Sequence, residues 1–295
     1  RPPVLHGTYG LAELADADDF LRDLWAAADV QGVPVEGAIS EYAPGQMELT
    51  LKHRNDALRA ADEAVMYKRL VKGVARRHGM DASFMAKPFA QHAGSGMHLH
   101  VSVEDANGRN IFASESPEGS TALRHAVGGM AATLGDGFAI FAPNANSYRR
   151  FKANSFAPVS PTWGVDNRTV SLRVPAGAPA TRHVEHRVCG ADANPYLALA
   201  ALLAGVLDSA MDAIITVDEQ QKIILYDRAA EKIFGWPQQD VMHQSLQRLI
   251  PGRFRQGHAG HVERFGTTGV TSRRMGTRNV VYGLRANGEE FPLDA

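Results

Sequence analysis

The chain has 295 residues, of which 44% are hydrophobic and 21% charged, and its formal net charge is −1 at pH 7. A chain of this length can bury a sizeable core, and we expect about two domains. The near-neutral charge gives no reason to expect nucleic acid or an anionic membrane as a partner. The single cysteine, Cys189, excludes an internal disulfide and fits a reducing cytoplasm. We find no apolar run of the roughly twenty residues that a membrane span needs and no signal segment, so we expect a cytoplasmic protein.

The first predicted element is an amphipathic helix from Leu11 to Val30. Its apolar side chains recur at helical spacing: Phe20, Leu21, Leu24 and Trp25.

Two short motifs then bring together side chains that can bind a cation. Glu41-Tyr-Ala-Pro-Gly-Gln-Met-Glu48 places two carboxylates on a strand–turn–strand. Gly94-Ser-Gly-Met-His-Leu-His100 ends a glycine-rich turn with two histidines that share one face of a strand, because strand side chains alternate. Carboxylates with an imidazole are suitable ligands for a divalent cation that carries a polyphosphate. Taken singly, two surface acids in a hairpin and an ordinary strand histidine are the alternative interpretation.

A later strand carries charges of both signs. In Arg182-His-Val-Glu-His-Arg187, the alternation of a strand puts Glu185 and Arg187 on the same face. A structural salt bridge is one interpretation of this pattern, and a ligand beside a phosphate-facing arginine is the other.

The pattern changes at Asp208. Asp212 to Asp218 and Ile223 to Tyr226 are predicted to be two strands joined by a polar turn. A short helix follows from Asp227, ended by Gly235 and Pro237.

The motifs of the first two thirds, in this order, resemble the catalytic region of the glutamine synthetase family, closest to the γ-glutamylpolyamine synthetase branch. The further segments that carry the resemblance are Phe84-Met-Ala-Lys-Pro88, Asn146-Ser-Tyr-Arg-Arg-Phe151, Trp163-Gly-Val-Asp-Asn-Arg168, Leu172-Arg-Val-Pro175 and Ala193-Asn-Pro-Tyr196. The resemblance implies an α+β fold: a glutamine synthetase-like catalytic sheet with helices over residues 1–207, from which the family's N-terminal β-domain and C-terminal end are missing.

The resemblance also implies an activity. Members of this branch are ATP-dependent ligases that join the γ-carboxylate of glutamate to an amine through γ-glutamyl phosphate, with Mg²⁺ or Mn²⁺, and they form homo-oligomers. We expect weakened metal binding and little or no turnover from this segment in isolation, because the family's upstream acids are missing.

Roles for single residues follow from the resemblance. Glu41 and Glu48 would hold the cation nearer glutamate, and His98 and Glu185 the cation nearer the nucleotide. The expected contacts with substrates and phosphates come from the following residues: Arg150 as the clamp on the glutamate α-carboxylate, Arg168, Arg173 and Arg187 facing the phosphates, Gly94 for close backbone approach to the substrate, and His100 and Ser102 as weaker nucleotide contacts.

Phe156 departs from the pattern of the glutamine-forming members, which place a glutamate there to bind and deprotonate ammonium. A phenyl group accepts no proton, but it can pack against the methylenes of a longer amine. We therefore expect an alkylamine or polyamine to be preferred over ammonia.

Residues 208–295 resemble a PAS sensor domain that lacks its last strands. In the alternative interpretation the protein is a PAS-based sensor of a small ligand or haem, and its ligase-like part is a non-catalytic remnant. His258 matches the axial histidine of haem-binding members and Arg278 their oxygen-facing arginine, but we favour a haem-free domain. A flavin photosensor is disfavoured because residues 208–295 contain no cysteine. An open sheet edge would favour self-association.

Overall fold

The computed structural model describes residues 9–152, 155–208, 213–255 and 281–293. The predicted first helix is two helices, α1 (Leu11–Asp16) and α2 (Asp18–Gln31). Ala17 separates them because its backbone leaves the helical region, with φ −102° and ψ 8°. Gly32 ends α2 in the left-handed conformation with φ 66°, which glycine adopts without steric cost.

A hairpin and a long helix complete the N-terminal layer. Strands β1 (Val35–Ser40) and β2 (Met47–Leu51) pair antiparallel, and helix α3 spans Ala57–Arg77. The Asp56 side chain caps α3 by accepting a hydrogen bond from the backbone N–H of Arg59 at 3.0 Å. The buried core between α2, α3 and the adjoining loop consists of Phe20, Leu24, Ala28, Val33, Leu70, Val71, Val74 and Ala75.

The central sheet has four short strands in the order β3 (Leu99–Val101), β6 (Val184–His186), β5 (Leu172–Val174) and β4 (Trp163–Val165). β4 runs parallel to β5, and the other pairs are antiparallel. Alternate residues of β5 and β6 pack against α4 (Thr121–Thr133) and α7 (Pro195–Asp208). The intervening residues therefore point to the opposite face. Two short helices, α5 (Phe138–Phe141) and α6 (Ala145–Tyr148), precede β4.

The C-terminal elements include the predicted hairpin and helix, although the first strand is shorter than predicted. β7 (Ile215–Val217) pairs antiparallel with β8 (Ile223–Tyr226), and α8 spans Arg228–Phe234 before Gly235 in the left-handed conformation. In the described part of this segment the remaining elements are α9 (Gln238–Val241), two 3-10 turns (Leu246–Leu249 and Gly252–Phe254), β9 (Val281–Leu284) and β10 (Glu290–Leu293). The two strands form a second hairpin. Their buried core is Ile223, Tyr226, Ala230, Phe234, Val241 and Leu249. His258 and Arg278 lie outside the described residues.

None of the helices in the described ranges is long and apolar enough to cross a membrane.

Candidate active site

A row of charged and imidazole side chains lies across the central sheet, on the face opposite α4 and α7. The strand register places His100 opposite Glu185, and Glu185 opposite Arg173. His98 precedes β3 and Arg187 follows β6, each two residues from a member of the row and thus on the same face. We call these five residues the charged row.

Glu185 is the centre of the charged row. Its carboxylate accepts hydrogen bonds from Arg187 Nη1 at 2.5 Å and from Arg173 Nη1 at 2.9 Å, and Oε1 lies 3.1 Å from His98 Nδ1. Burial by itself would raise the pKa of Glu185, but the hydrogen bond and charge of His98, with the charge of Arg187, outweigh burial and hold the pKa well below its usual range. The carboxylate is therefore ionised although it is only 3% exposed.

Arg173 connects Glu185 to a second acid. Its Nη2 donates to Asp166 Oδ1 at 2.5 Å, and the side chain of Asp166 is about half exposed. Burial lowers the pKa of Arg173, but the hydrogen bonds to Asp166 and Glu185 reverse this effect and raise it. Arg173 therefore stays charged beside the predicted phosphate position.

The hairpin carries the other predicted pair of ligands. Glu41 directly follows β1 and Glu48 lies in β2. Burial raises the pKa of Glu41, and the negative charge of Glu48 raises it further, while Arg168 and Arg187 act in the opposite direction. The two carboxylates are thus close enough to repel each other, and a divalent cation would relieve that repulsion.

Gln46 joins this hairpin to the glycine-rich turn. Its side-chain amide donates to the Gly94 carbonyl at 3.0 Å and to Ser95 Oγ at 3.2 Å, and its own carbonyl accepts from the Ala43 N–H. Gln46 was not among the predicted site residues, although it lies between the two acids of the hairpin motif.

The four predicted metal ligands thus occur as two pairs, Glu41 with Glu48 and His98 with Glu185. Within the described ranges, no group of three or more His, Cys, Asp or Glu side chains is placed to hold a metal ion. The donor types fit Mg²⁺ or Mn²⁺, and the mutual repulsion of the hairpin acids fits a cation between them. In the second pair the oxygens of Glu185 are shared with two arginines. The ligand assignment therefore stays a prediction.

The Arg150 guanidinium is buried and donates hydrogen bonds to two backbone carbonyl groups. Nη1 donates to the Val188 carbonyl at 2.8 Å and Nη2 to the Arg187 carbonyl at 3.0 Å. Burial lowers its pKa to about 10. These contacts hold the end of the β6 segment in place, and they give no support to the predicted clamp on the glutamate α-carboxylate.

Gly94 is required by packing against the same arginine. A Cβ at Gly94 would meet the Ala86 carbonyl oxygen at 2.6 Å and Arg150 Cγ at 2.7 Å. This packing explains the glycine without the predicted close approach to a substrate.

Phe156, the residue predicted to contact the amine, belongs to a group of exposed aromatic rings. Phe156 is 46% exposed, and its ring centroid lies 5.3 Å from that of Tyr42. The Tyr42 centroid lies 5.9 Å from that of Tyr9. Arg168 Nη1 donates to the Tyr9 hydroxyl at 2.9 Å. Tyr42 directly follows Glu41 along the chain, so the aromatic group adjoins one of the predicted ligands. Phe156 and Arg168 were predicted from the sequence, whereas the two tyrosines were not.

His100 contacts His183, which was not among the predicted site residues. Its Nδ1 lies 3.0 Å from Nε2 of His183, the residue directly before β6. Neighbouring atoms desolvate the His100 ring and lower its pKa, although part of the ring is exposed; Glu185 acts in the opposite direction, and His183, His98 and Arg173 add to the lowering. Ser102 follows β3, half-buried, on the side of the strand that carries His100.

Comparison with known proteins defines the family. The model of the glutamine synthetase catalytic domain matches residues 1–249, so the chain belongs to the glutamine synthetase family. It is 43% identical over 216 residues to γ-glutamylputrescine synthetase PuuA of Escherichia coli K12 and 40% identical over 203 residues to glutamate–isopropylamine ligase of a Pseudomonas species. The alignments cover 70% and 67% of this chain but 46% and 44% of the relatives, so the chain spans less than half of their length.

Solved structures agree with the fold. The ADP complex of GmaS superposes with a TM-score of 0.64 at 32% identity, covering 71% of this chain and 50% of that one. The central sheet and its helices thus have a glutamine synthetase-like fold of mixed helices and strands. The family model continues to residue 249, past the boundary predicted at Asp208. The comparisons therefore give no support to a PAS domain that begins there.

Proposed function

We propose that this chain is the catalytic part of an ATP-dependent ligase that joins the γ-carboxylate of glutamate to an alkylamine or polyamine, through γ-glutamyl phosphate. The observation that carries the proposal is the charged row, in which two arginines and an imidazole surround an ionised, buried carboxylate on one face of the sheet. Family membership supports the reaction type, and the names of two relatives, which act on putrescine and isopropylamine, support an amine other than ammonia.

In the first step, the glutamate γ-carboxylate attacks the γ-phosphate of ATP and ADP leaves. Negative charge then has to be stabilised on the transferring phosphoryl group, and arginines do this without losing a proton. Arg187 and Arg173 are positioned for this role by Glu185, and Arg168 lies nearer the hairpin. Mg²⁺ or Mn²⁺, held by Glu41 and Glu48 and by His98 with Glu185, would neutralise charge on the phosphates.

In the second step, an amine attacks the γ-carbonyl carbon of γ-glutamyl phosphate and inorganic phosphate leaves. The neutral amine attacks, and the proton that it loses on forming the amide leaves with the phosphate as hydrogen phosphate. The hydrocarbon part of the amine needs an apolar surface. Phe156 and Tyr42 supply that surface beside Glu41. We propose that this aromatic pair favours alkylamines, and that the complete enzyme is a homo-oligomer.

The test is phosphate release from ATP and glutamate in the longest natural chain that contains these residues. Isopropylammonium, putrescine and ammonium are compared as acceptors, in the wild type and in Phe156→Glu. We expect the wild type to prefer the alkylamines, and Phe156→Glu to move kcat/KM toward ammonium by about tenfold or more, the value of one apolar contact in a pocket. Phe254→Glu is the control, since that ring is exposed in the C-terminal segment.

The outcomes separate the parts of the proposal. Equal or faster turnover of the wild type with ammonium would remove the alkylamine preference and leave the ligase. No turnover with any amine would remove the ligase itself.

We further propose a sensory role for residues 208–295, of the PAS type. The support for this role is structural. The two C-terminal hairpins and α8 share one hydrophobic cluster, to which Phe291 and Leu293 of the last strand contribute. Expression of the whole chain with haem supplied, followed by a visible spectrum, tests the haem variant of this role. A Soret band that disappears in His258→Ala would show a haem sensor, whereas no Soret band agrees with the haem-free domain that we favour.

A further inference from the structure

The neighbouring imidazoles of His100 and His183 form a pair on the face of the charged row. His100 lies opposite Glu185 in the strand register, and His183 is two residues before Glu185, so the two rings are diagonal neighbours on one face. His100 Nδ1 and His183 Nε2 are 3.0 Å apart, and the ring centroids are 5.1 Å apart. Both rings are accessible to solvent in part.

The protonation of the pair follows from a third contact. His183 Nδ1 lies 2.8 Å from the carbonyl oxygen of Thr181, and a carbonyl oxygen accepts but never donates. His183 therefore carries its proton on Nδ1, and in the neutral ring Nε2 presents a lone pair to His100. Metal-binding histidines are held in the same way, with the second ring nitrogen donating to a backbone carbonyl.

We propose that His100 and His183 form a two-imidazole site for a borderline divalent cation of the Zn²⁺ type, separate from the predicted magnesium ligands. Zn–N bonds of about 2.0–2.1 Å at a tetrahedral angle require the two nitrogens to be about 3.3 Å apart, which is only ~0.3 Å more than the spacing present. His100 stays neutral when the cation binds, because its proton moves from Nδ1 to Nε2. His183 keeps its proton on Nδ1.

The ligand types decide which cation is bound. Imidazole nitrogens select Zn²⁺, Cu²⁺ or Ni²⁺ over Mg²⁺, which prefers oxygen. Within the described ranges, no third His, Cys, Asp or Glu completes the pair. Water would fill the other positions, so the site is an open one with exchangeable cation.

Isothermal titration of the whole chain with Zn²⁺, at neutral pH in a non-chelating buffer with excess Mg²⁺, tests the site. We expect His183→Ala and His100→Ala each to weaken Zn²⁺ affinity by at least about 10- to 100-fold. That is the loss caused by removing a residue that only supports a metal ligand. The double variant should lose little more affinity than either single variant, because the site needs both imidazoles. His53→Ala removes an exposed histidine elsewhere and should leave the affinity unchanged.

His98→Ala separates the new site from the predicted magnesium site. Retained Zn²⁺ affinity in that variant, with loss in His183→Ala, supports the imidazole pair. The proposal is overturned if the wild type does not bind Zn²⁺, if His183→Ala binds it as tightly as the wild type, or if His98→Ala or His53→Ala loses as much affinity. Far-UV circular dichroism of each variant shows that a loss is not due to unfolding.

Discussion

Glu185 and Arg187 are joined by an ion pair of 2.5 Å although one residue lies between them, and both side chains are almost completely buried. The pair exists because strand alternation puts both residues on one face of β6. Arg173 reaches the other carboxylate oxygen from the neighbouring strand. A buried carboxylate shared by two cations is expensive to disturb, since each partner would be left charged without compensation.

Glu185→Gln should therefore destabilise the fold by about 3–5 kcal/mol, as the loss of one partner from a buried ion pair does. Asp166→Asn breaks the other ion pair of Arg173, whose acid is exposed, and should cost about 1 kcal/mol or less. Urea unfolding followed by circular dichroism measures both. Equal losses in the two variants would contradict the central role that we give to Glu185.

His186 should make stability depend on pH. It is 1% exposed, its ring centroid lies 4.5 Å from that of Phe141, and burial lowers its pKa from 6.5 to about 4. Between these values the unfolded state binds more protons than the folded state, so stability is complete above about pH 6.5 and falls as pH approaches 4. The shift corresponds to on the order of 3 kcal/mol.

His186→Phe should flatten the unfolding free energy between pH 6.5 and 4, because no proton is then taken up at this position on unfolding. The measurement is a series of urea titrations at stepped pH. His53→Phe changes an exposed histidine and should keep the slope of the wild type. An unchanged slope in His186→Phe would show that other groups cause the acid sensitivity.

Gly94→Ala should destabilise the protein by about 1–3 kcal/mol or more, since the new methyl group would meet the Ala86 carbonyl and the packed stem of Arg150. Gly73→Ala is the matched control, because a Cβ there has nothing within 4 Å and lies in the interior of α3. It should stabilise α3 by about 0.5–1 kcal/mol. Thermal unfolding compares the two, and a stable Gly94→Ala would mean that Arg150 can move.

Asp227→Ala should cost about 1–2 kcal/mol in the C-terminal segment, because Oδ1 accepts hydrogen bonds from the N–H groups of Ala230 and Ile214. Asp227→Asn keeps this acceptor. It also removes a buried charge whose Oδ2 has no hydrogen-bond partner within the described ranges. We therefore expect Asp227→Asn to leave the stability of this segment unchanged or to raise it. Hydrogen exchange of the α8 amides measures the effect in both variants. A loss of stability in Asp227→Asn equal to that in Asp227→Ala would argue against the cap.

Local patterns were sufficient for the parts of the site that depend on alternation. The histidines around β3 and the pair Glu185 and Arg187 lie on the faces that alternation predicts, because side-chain direction in a strand follows from position. The C-terminal hairpin and α8 were predicted for a similar reason, since Asp227 and Gly235 mark the helix ends.

Contacts between distant segments could not be predicted in the same way. That Arg173 and His100 flank Glu185 depends on the strand order, which local periodicity does not determine. Arg150 follows α6 and donates to two backbone carbonyls just after β6. This contact joins segments that are far apart in the sequence, so local patterns do not predict it. The single-helix prediction was wrong at Ala17. No glycine or proline marks the break there, so the sequence pattern gave no sign of it.

The arginines around Glu185 have a consequence for the order in which ligands arrive. A bare dication that approaches Glu185 meets two guanidinium groups already held by that carboxylate, so it adds positive charge where positive charge is in excess. A polyphosphate that accompanies the dication gives Arg173 and Arg187 new partners and frees the carboxylate oxygens for the ion. On the proposed function, we therefore expect the metal–nucleotide complex to bind at the charged row as one unit, and more tightly than the free cation.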